Sequence, residues 1–171
     1  MNAETGLFGA HKSLDGDLSG EFIDKEQFIG LVVYHDELLL PLACVEEIIM
    51  PPRLTYVPYS QTLVEGVINL RGTIIPVINL RRILNHPRVG ITQETRIIIM
   101  HDNTMRLGIV VDKITLVRAL MPNEITREGL QNFHRTAEIL VGLATNNNIV
   151  NGILDMAKIV HTVMGEKKTA A

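Results

Sequence analysis

A chain of 171 residues, 46% of them hydrophobic, can bury the core of one ordinary domain or of two small fused ones. Aromatics at 4%, with no tryptophan, leave that core to Ile, Leu and Val, with seven Met as gap fillers. The near-even balance of 16 basic and 19 acidic residues, without arginines interleaved among aromatics, argues against a nucleic-acid partner. The single cysteine, Cys44, excludes an internal disulfide and any zinc site built from several cysteines.

Residues 1–24 are rich in glycine and acids and poor in large apolar side chains, so they are expected to form a flexible arm. They show no basic region followed by an apolar stretch, and no apolar run approaches the roughly 20 residues that cross a bilayer. The expectation is a cytoplasmic protein without direct membrane insertion. Residues 25–164 form the body, and 165–171 a disordered tail.

Within the body the predicted elements are short. Gln27–Val33 and Glu37–Leu42 are strands around a hairpin turn at Tyr34-His35-Asp36, and Cys44–Met50 is a third strand stopped by Pro51-Pro52. Pro41 cannot donate to a ladder, so it implies an edge or a bulge. Gly66–Leu70 and Thr73–Asn79 flank Arg71-Gly72, while Thr95–His101 and Arg106–Val111 flank Asp102-Asn103-Thr104. Ile114–Met121, Leu140–Ala144 and Ile149–Leu154 complete the strands; short helices are predicted at Leu80–Leu84 and Asp155–Met164. Many short strands with almost no long helical pattern indicate an all-β protein of antiparallel barrels or a sandwich.

The phrase Val-Ile-Asn-Leu-Arg occurs twice, at 67–71 and 77–81. Read as a two-residue hairpin loop, Arg71-Gly72 needs positive φ, which glycine supplies without steric cost. The register then pairs Leu70 with Thr73, Asn69 with Ile74, Ile68 with Ile75 and Val67 with Pro76. Ile68, Leu70, Ile75 and Val77 share a core-facing side, and Arg71 projects from the tip. In the second copy Asn79 is a favoured N-cap, so Arg81 lies on a helix. The copies share letters but not geometry. The cluster of Arg71, Arg81, Arg82 and Arg88 is read as a solvated face.

Gly66-Val67-Ile68-Asn69-Leu70-Arg71-Gly72 followed by Ile75-Pro76-Val77-Ile78-Asn79-Leu80 resembles the signature of the CheW chemotaxis coupling family. Phe28 through Val33, Val45-Glu46-Glu47-Ile48-Ile49, Val57-Pro58, Leu107 through Asp112, Leu140-Val141-Gly142-Leu143 and Ile153-Leu154-Asp155 resemble further segments of that family, in the same order. The resemblance implies two packed five-stranded SH3-like β-barrel subdomains with short helices, and a non-catalytic adaptor. Its partners would be the cytoplasmic tip of chemoreceptors and the regulatory domain of a CheA-type histidine kinase. A CheW-like scaffold in a pilus, surface-motility or other kinase array is the alternative.

The receptor's helical hairpin would lie in a groove between the barrels, and the kinase domain would pair through barrel ends. Partner-binding roles are implied for Val45, Glu47, Ile48, Asn69, Arg71, Gly72 and Val111: Val45, Ile48 and Val111 as apolar walls, Glu47 and Arg71 as orienting charges. Read from their residue types alone, Val45 and Ile48 fit a core, Gly72 a turn requirement and Asn69 a structural hydrogen bond. No catalytic, cofactor or metal site is expected. Cys44 sits in an apolar strand as a small buried hydrophobe. The six histidines lack ligand spacing, Ser60 lacks a hydrolase elbow, and no glycine-rich phosphate loop is present.

Overall fold

Ile97, Ile98, Ile99 and Met100 are all 0% exposed, and successive side chains of a strand point to opposite faces. Apolar material must therefore cover both sides of that strand. This double burial is the plan of the inner strands. The computed structural model describes residues 25–58, 60, 63–101, 105–146 and 149–165. The expected arm, the turn at 102–104 and all of the expected tail except Gly165 lie outside the described residues.

In chain order, β1 (Glu26–Val33) and β2 (Asp36–Pro41) lead through a 3-10 turn (Leu42–Cys44) to β3 (Val45–Ile49). Then come β4 (Val64–Leu70), β5 (Thr73–Asn79), helix α1 (Leu80–Ile83), β6 (Arg96–His101), β7 (Arg106–Val111) and β8 (Lys113–Leu120). After the two-residue β9 (Ile125–Thr126) and a 3-10 segment (Leu130–Ile139), β10 (Leu140–Asn146), β11 (Ile149–Leu154) and helix α2 (Met156–Gly165) close the chain. One sheet runs β8-β1-β2-β11-β10-β9 and the other β3-β6-β7-β5-β4. The chain thus begins in the first sheet, builds the second as an insertion, and returns. The two expected SH3-like subdomains are these sheets, although the first has six strands where five were expected. The second sheet's far edges are linked because the chain beyond β3 bridges back to β4, Thr55 and Val67 exchanging two 2.9 Å hydrogen bonds.

Three apolar clusters hold this together. Phe28, Leu39, Leu120, Ala144 and Ile153 pack on one face of the first sheet, and Ile68, Ile75, Val77, Ile97 and Ile99 on one face of the second. Between the sheets lies a much larger cluster that takes Ile29, Leu31, Leu38 and Leu40 from the first and Ile78, Ile98, Met100, Ile109 and Val111 from the second. Neighbouring residues of one strand, such as Leu39 and Leu40 or Ile97 and Ile98, therefore belong to different cores. The seam is the main core. Buried aliphatic side chains each contribute about 1.5–3 kcal/mol, so neither sheet's own cluster matches what the seam supplies.

Irregularities in the ladders bend the strands. Pairing shifts between Val45 and Glu47, between Val64 and Gly66, and between Leu140 and Gly142, leaving Glu46, Glu65 and Val141 as extra residues. Two of them then serve as surface ion-pair acceptors: Glu46 meets Arg106 at 2.8 Å, and Glu65 meets Arg82 and Arg88 at 3.6 Å each. At Gly30, a Cβ would come within 2.3 Å of Thr115 Oγ1, so only glycine lets β8 cross β1 there.

The register of the β4–β5 hairpin is the one the alternation predicts, Leu70 with Thr73 through Val67 with Pro76. Pro41, expected at an edge or a bulge, lies where β2 has no neighbour on its second side. It ends β2, an inner strand, opposite Phe28; β11 pairs with β2 only at Leu38 and Leu39, so no neighbour needs the missing N–H. The strand expected from Cys44 begins one residue later, after the 3-10 turn. Neither β9 nor the 3-10 segment before β10 was anticipated.

Candidate functional site

The β4–β5 turn has two positive-φ residues, Arg71 at 51° and Gly72 at 86°, which is the two-residue geometry that follows strand twist. The Gly72 N–H donates to Asn69 Oδ1 at 2.8 Å and pins the turn. So held, Arg71 projects with its side chain 78% exposed, and its Nη2 donates to Glu47 Oε1 at 3.0 Å. The pair joins the hairpin to β3, a strand at the opposite edge of the same sheet.

The extra residue at Glu46 decides what else β3 presents. Val45 lies opposite Met100 and Ile48 opposite Ile98, and both partners belong to the seam; Glu47 and Ile49 lie opposite Ile99 and Ile97, which face the second sheet's own core. Directly opposed residues share a face. Val45 and Ile48 therefore sit on the seam side at the sheet's edge, Val45 half-buried and Ile48 39% exposed. Leu42, Cys44 and Ile114 are also partly buried against the seam cluster. The seam core reaches the surface along this margin. Val111 does not share it: at 1% exposure it is packed inside the seam. Of the residues singled out, Val45, Ile48, Glu47 and Arg71 are thus presented at the surface or its margin, while Asn69 and Gly72 build the turn that presents Arg71.

The second arginine of the repeated phrase has another fate, and reading it as part of a solvated face is corrected here. Arg81 is 7% exposed. The Asn79 side chain caps α1 by accepting from the Arg81 N–H at 3.1 Å, and the guanidinium lies inward. Nε and Nη2 donate to Asp112 Oδ1 and Oδ2 at 2.7 and 2.6 Å, and Nη1 donates to the Pro87 carbonyl at 3.0 Å. The Tyr34 N–H donates to the same Asp112 Oδ2 at 2.5 Å, and the Arg81 guanidinium lies 5.3 Å from the Tyr34 ring centre. His86 Nε2 meets Asp36 Oδ2 at 2.6 Å. These contacts tie the β1–β2 turn of the first sheet to α1 and the loop after it in the second. They form a latch across the seam. Sequence reasoning missed it, and the available signal was the Asp directly after the Val110-Val111 strand.

Little in this region resembles reactive machinery. Burial pushes the Cys44 thiol from 9.0 up to about 11, the charge of Asp155 adding to the effect and a backbone hydrogen bond opposing it. The thiol donates to the Pro41 carbonyl at 3.0 Å. A thiol that stays protonated near neutral pH is a poor nucleophile. Among the described residues no group of three or more His, Cys, Asp or Glu side chains is placed to hold a metal ion, and no helix is long and apolar enough to cross a membrane. An edge strand with apolar side chains on one face and a charge pair on the other is suited to holding another protein.

Comparison with known proteins agrees with this architecture. The chain is 36% identical over 116 residues to Chemotaxis protein CheW of Bacillus subtilis (strain 168), spanning 67% of this chain and 74% of that one. It is 25% identical over 150 residues to Protein FrzA of Myxococcus xanthus, spanning 86% and 93%. The crystal structure of scaffolding protein TtCheW from Thermoanaerobacter tengcongensis superposes with a TM-score of 0.71 at 26% identity, covering 77% of this chain and 85% of that one. The family model described as CheW-like domain matches residues 27–164, which takes in both sheets, the hairpin and the latch, and the chain belongs to that family.

Proposed function

We propose that this protein is a non-catalytic adaptor that couples chemoreceptors to a CheA-type histidine kinase in chemotaxis. It works in the cytoplasm and is recruited to receptor arrays. The observation that carries the reading is that the edge strand β3 presents Val45 and Ile48 on its seam side and the Arg71–Glu47 pair on its other side. An amphipathic receptor helix would lay its apolar face on Val45 and Ile48, with Glu47 and Arg71 setting its register. Asn69 and Gly72 act through the shape of the turn, and Val111 by packing beneath the margin. The exposed pair adds only about 0–1 kcal/mol to folding, so its value lies in orienting a partner.

The kinase's regulatory domain would pair with the ends of the barrels. Individual contacts are allowed to be weak, because an array supplies effective concentration. Mixing purified protein with receptor tips and the kinase regulatory domain is expected to give a ternary complex and, with full kinase, altered autophosphorylation. No association at on the order of tens of micromolar would overturn the proposal. A CheW-like scaffold in another kinase array is the second reading, supported by the likeness to Protein FrzA over nearly the whole of that protein. Exchanging receptor sets in the reconstitution separates the two.

A further inference from the structure

Among the described residues three other than glycine have positive φ: Tyr34 at 61°, Arg71 at 51° and Asn85 at 61°. Asparagine tolerates the left-handed region, and Arg71 enters it in the tight turn it shares with Gly72. Tyr34 is the outlier. Val33 pairs with Asp36, so Tyr34 and His35 form a two-residue hairpin loop whose first position favours glycine or asparagine. A bulky aromatic there is strained, and such strain persists only where the surroundings hold it.

Burial does not hold it, since Tyr34 is 41% exposed. Its ring centre lies 3.9 Å from that of His35, 5.0 Å from that of His86 and 5.3 Å from the Arg81 guanidinium. Two of these three neighbours belong to α1 and the loop after it, across the seam. The Tyr34 N–H holds Asp112, the single residue between β7 of the second sheet and β8 of the first. The Asp112 N–H donates to the Val32 carbonyl at 3.1 Å, and Lys113 beside it meets Glu94 at 2.8 Å. Two positions past Asp112, Ile114 lies opposite Leu31 and packs on the seam cluster. β6, which follows Glu94, pairs with β3 and so with Val45 and Ile48. The clasp at Tyr34 therefore stands where the chain sets β8 against β3.

We infer that Tyr34 is a positioning residue for the partner-binding margin. Its ring locks α1 and the following loop onto the β1–β2 turn, and that contact fixes how Ile114 of β8 stands relative to Val45 and Ile48 of β3. Asparagine would make the same turn without strain, but it would leave out the ring. The use of the margin rests on the proposed function; the clasp does not.

The test compares the full chain with Tyr34→Asn, which accepts the left-handed turn and keeps the N–H but loses the ring, and with Tyr34→Phe, which keeps the ring. Relief of strain offsets the lost contacts, so Tyr34→Asn is expected to unfold within a few degrees of the unaltered chain. Backbone residual dipolar couplings are expected to show the two sheets reoriented relative to each other in Tyr34→Asn, with the original orientation rescued in Tyr34→Phe. Receptor tips should bind Tyr34→Asn about two- to fivefold more weakly, the scale of one exposed cation–π contact, with affinity recovered in Tyr34→Phe. An unchanged orientation in Tyr34→Asn, or a changed one with undiminished receptor affinity, would overturn the inference. Reoriented sheets in a protein whose unaltered form ignores receptor tips would uphold the clasp and count against the proposed function.

Discussion

Arg71 and Arg81 follow the same four residues, yet they answer to different physics. Arg71 is held out by a turn, with its partner Glu47 in reach of water; Arg81 is drawn in by a capped helix onto Asp112. Arg71→Ala should leave thermal unfolding nearly unchanged, within about 0–1 kcal/mol, while weakening receptor coupling in the reconstituted assay. Arg81→Ala should cost about 3–5 kcal/mol in denaturant unfolding, because Asp112 and the Pro87 carbonyl lose their donor in a partly dry site. Arg81→Lys rescues little of it, since an ammonium cannot span both carboxylate oxygens. Cys44 gives a pH signature at the same scale. Below pH 9.0 the thiol is protonated whether the chain is folded or not, and contributes no slope. Above that the unfolded thiol ionises while the folded one holds its proton until about 11, so stability falls across the interval. Cys44→Ala should flatten urea-unfolding free energies between those pH values relative to the unaltered chain.

Among the elements, the β4–β5 hairpin is the most fully determined by its own letters. Alternation places Ile68, Ile75 and Val77 on one face, and Gly72 at positive φ sets the register. A Cβ on Gly72 would touch nothing within 4 Å, so the cost of Gly72→Ala is conformational alone, about 1–2 kcal/mol by thermal unfolding. β3 was harder to read. Its core-facing pattern depends on the extra residue at Glu46, and an irregularity in pairing leaves no mark in one strand's sequence. The 3-10 segment at Leu130–Ile139 was missed as well, although its apolar residues recur at helical spacing, and Leu130 and Phe133 pack on the seam.

For the molecule as a whole, the seam sets the behaviour. Because the cluster between the sheets is larger than either sheet's own, neither subdomain keeps a sufficient core if the other unfolds. Unfolding should be a single transition with matching calorimetric and van't Hoff enthalpies. Leu31→Ala, which opens a cavity in the seam, should lower stability of both sheets together by about 2–5 kcal/mol, seen as equal losses of amide-exchange protection in β2 and β5. A protected β5 beside an exchanging β2 would show that the sheets fold independently.

What the letters alone determined were the local matters: which stretches become strands, where the tight turns fall, the aliphatic character of the core and the family signature. These follow from side-chain period and turn chemistry, which act over a few residues. What only the tertiary structure decided was which face of each strand meets which core, and hence whether a given side chain serves packing or a partner. Val111 and Ile48 are both apolar strand residues, but one lies inside the seam and the other at its margin. Arg81 lies 31 positions from Asp112, and no local pattern encodes that a buried guanidinium will find its carboxylate there. Long-range pairing is settled by burial and desolvation across the folded chain, and those quantities exist only once both sheets are in place.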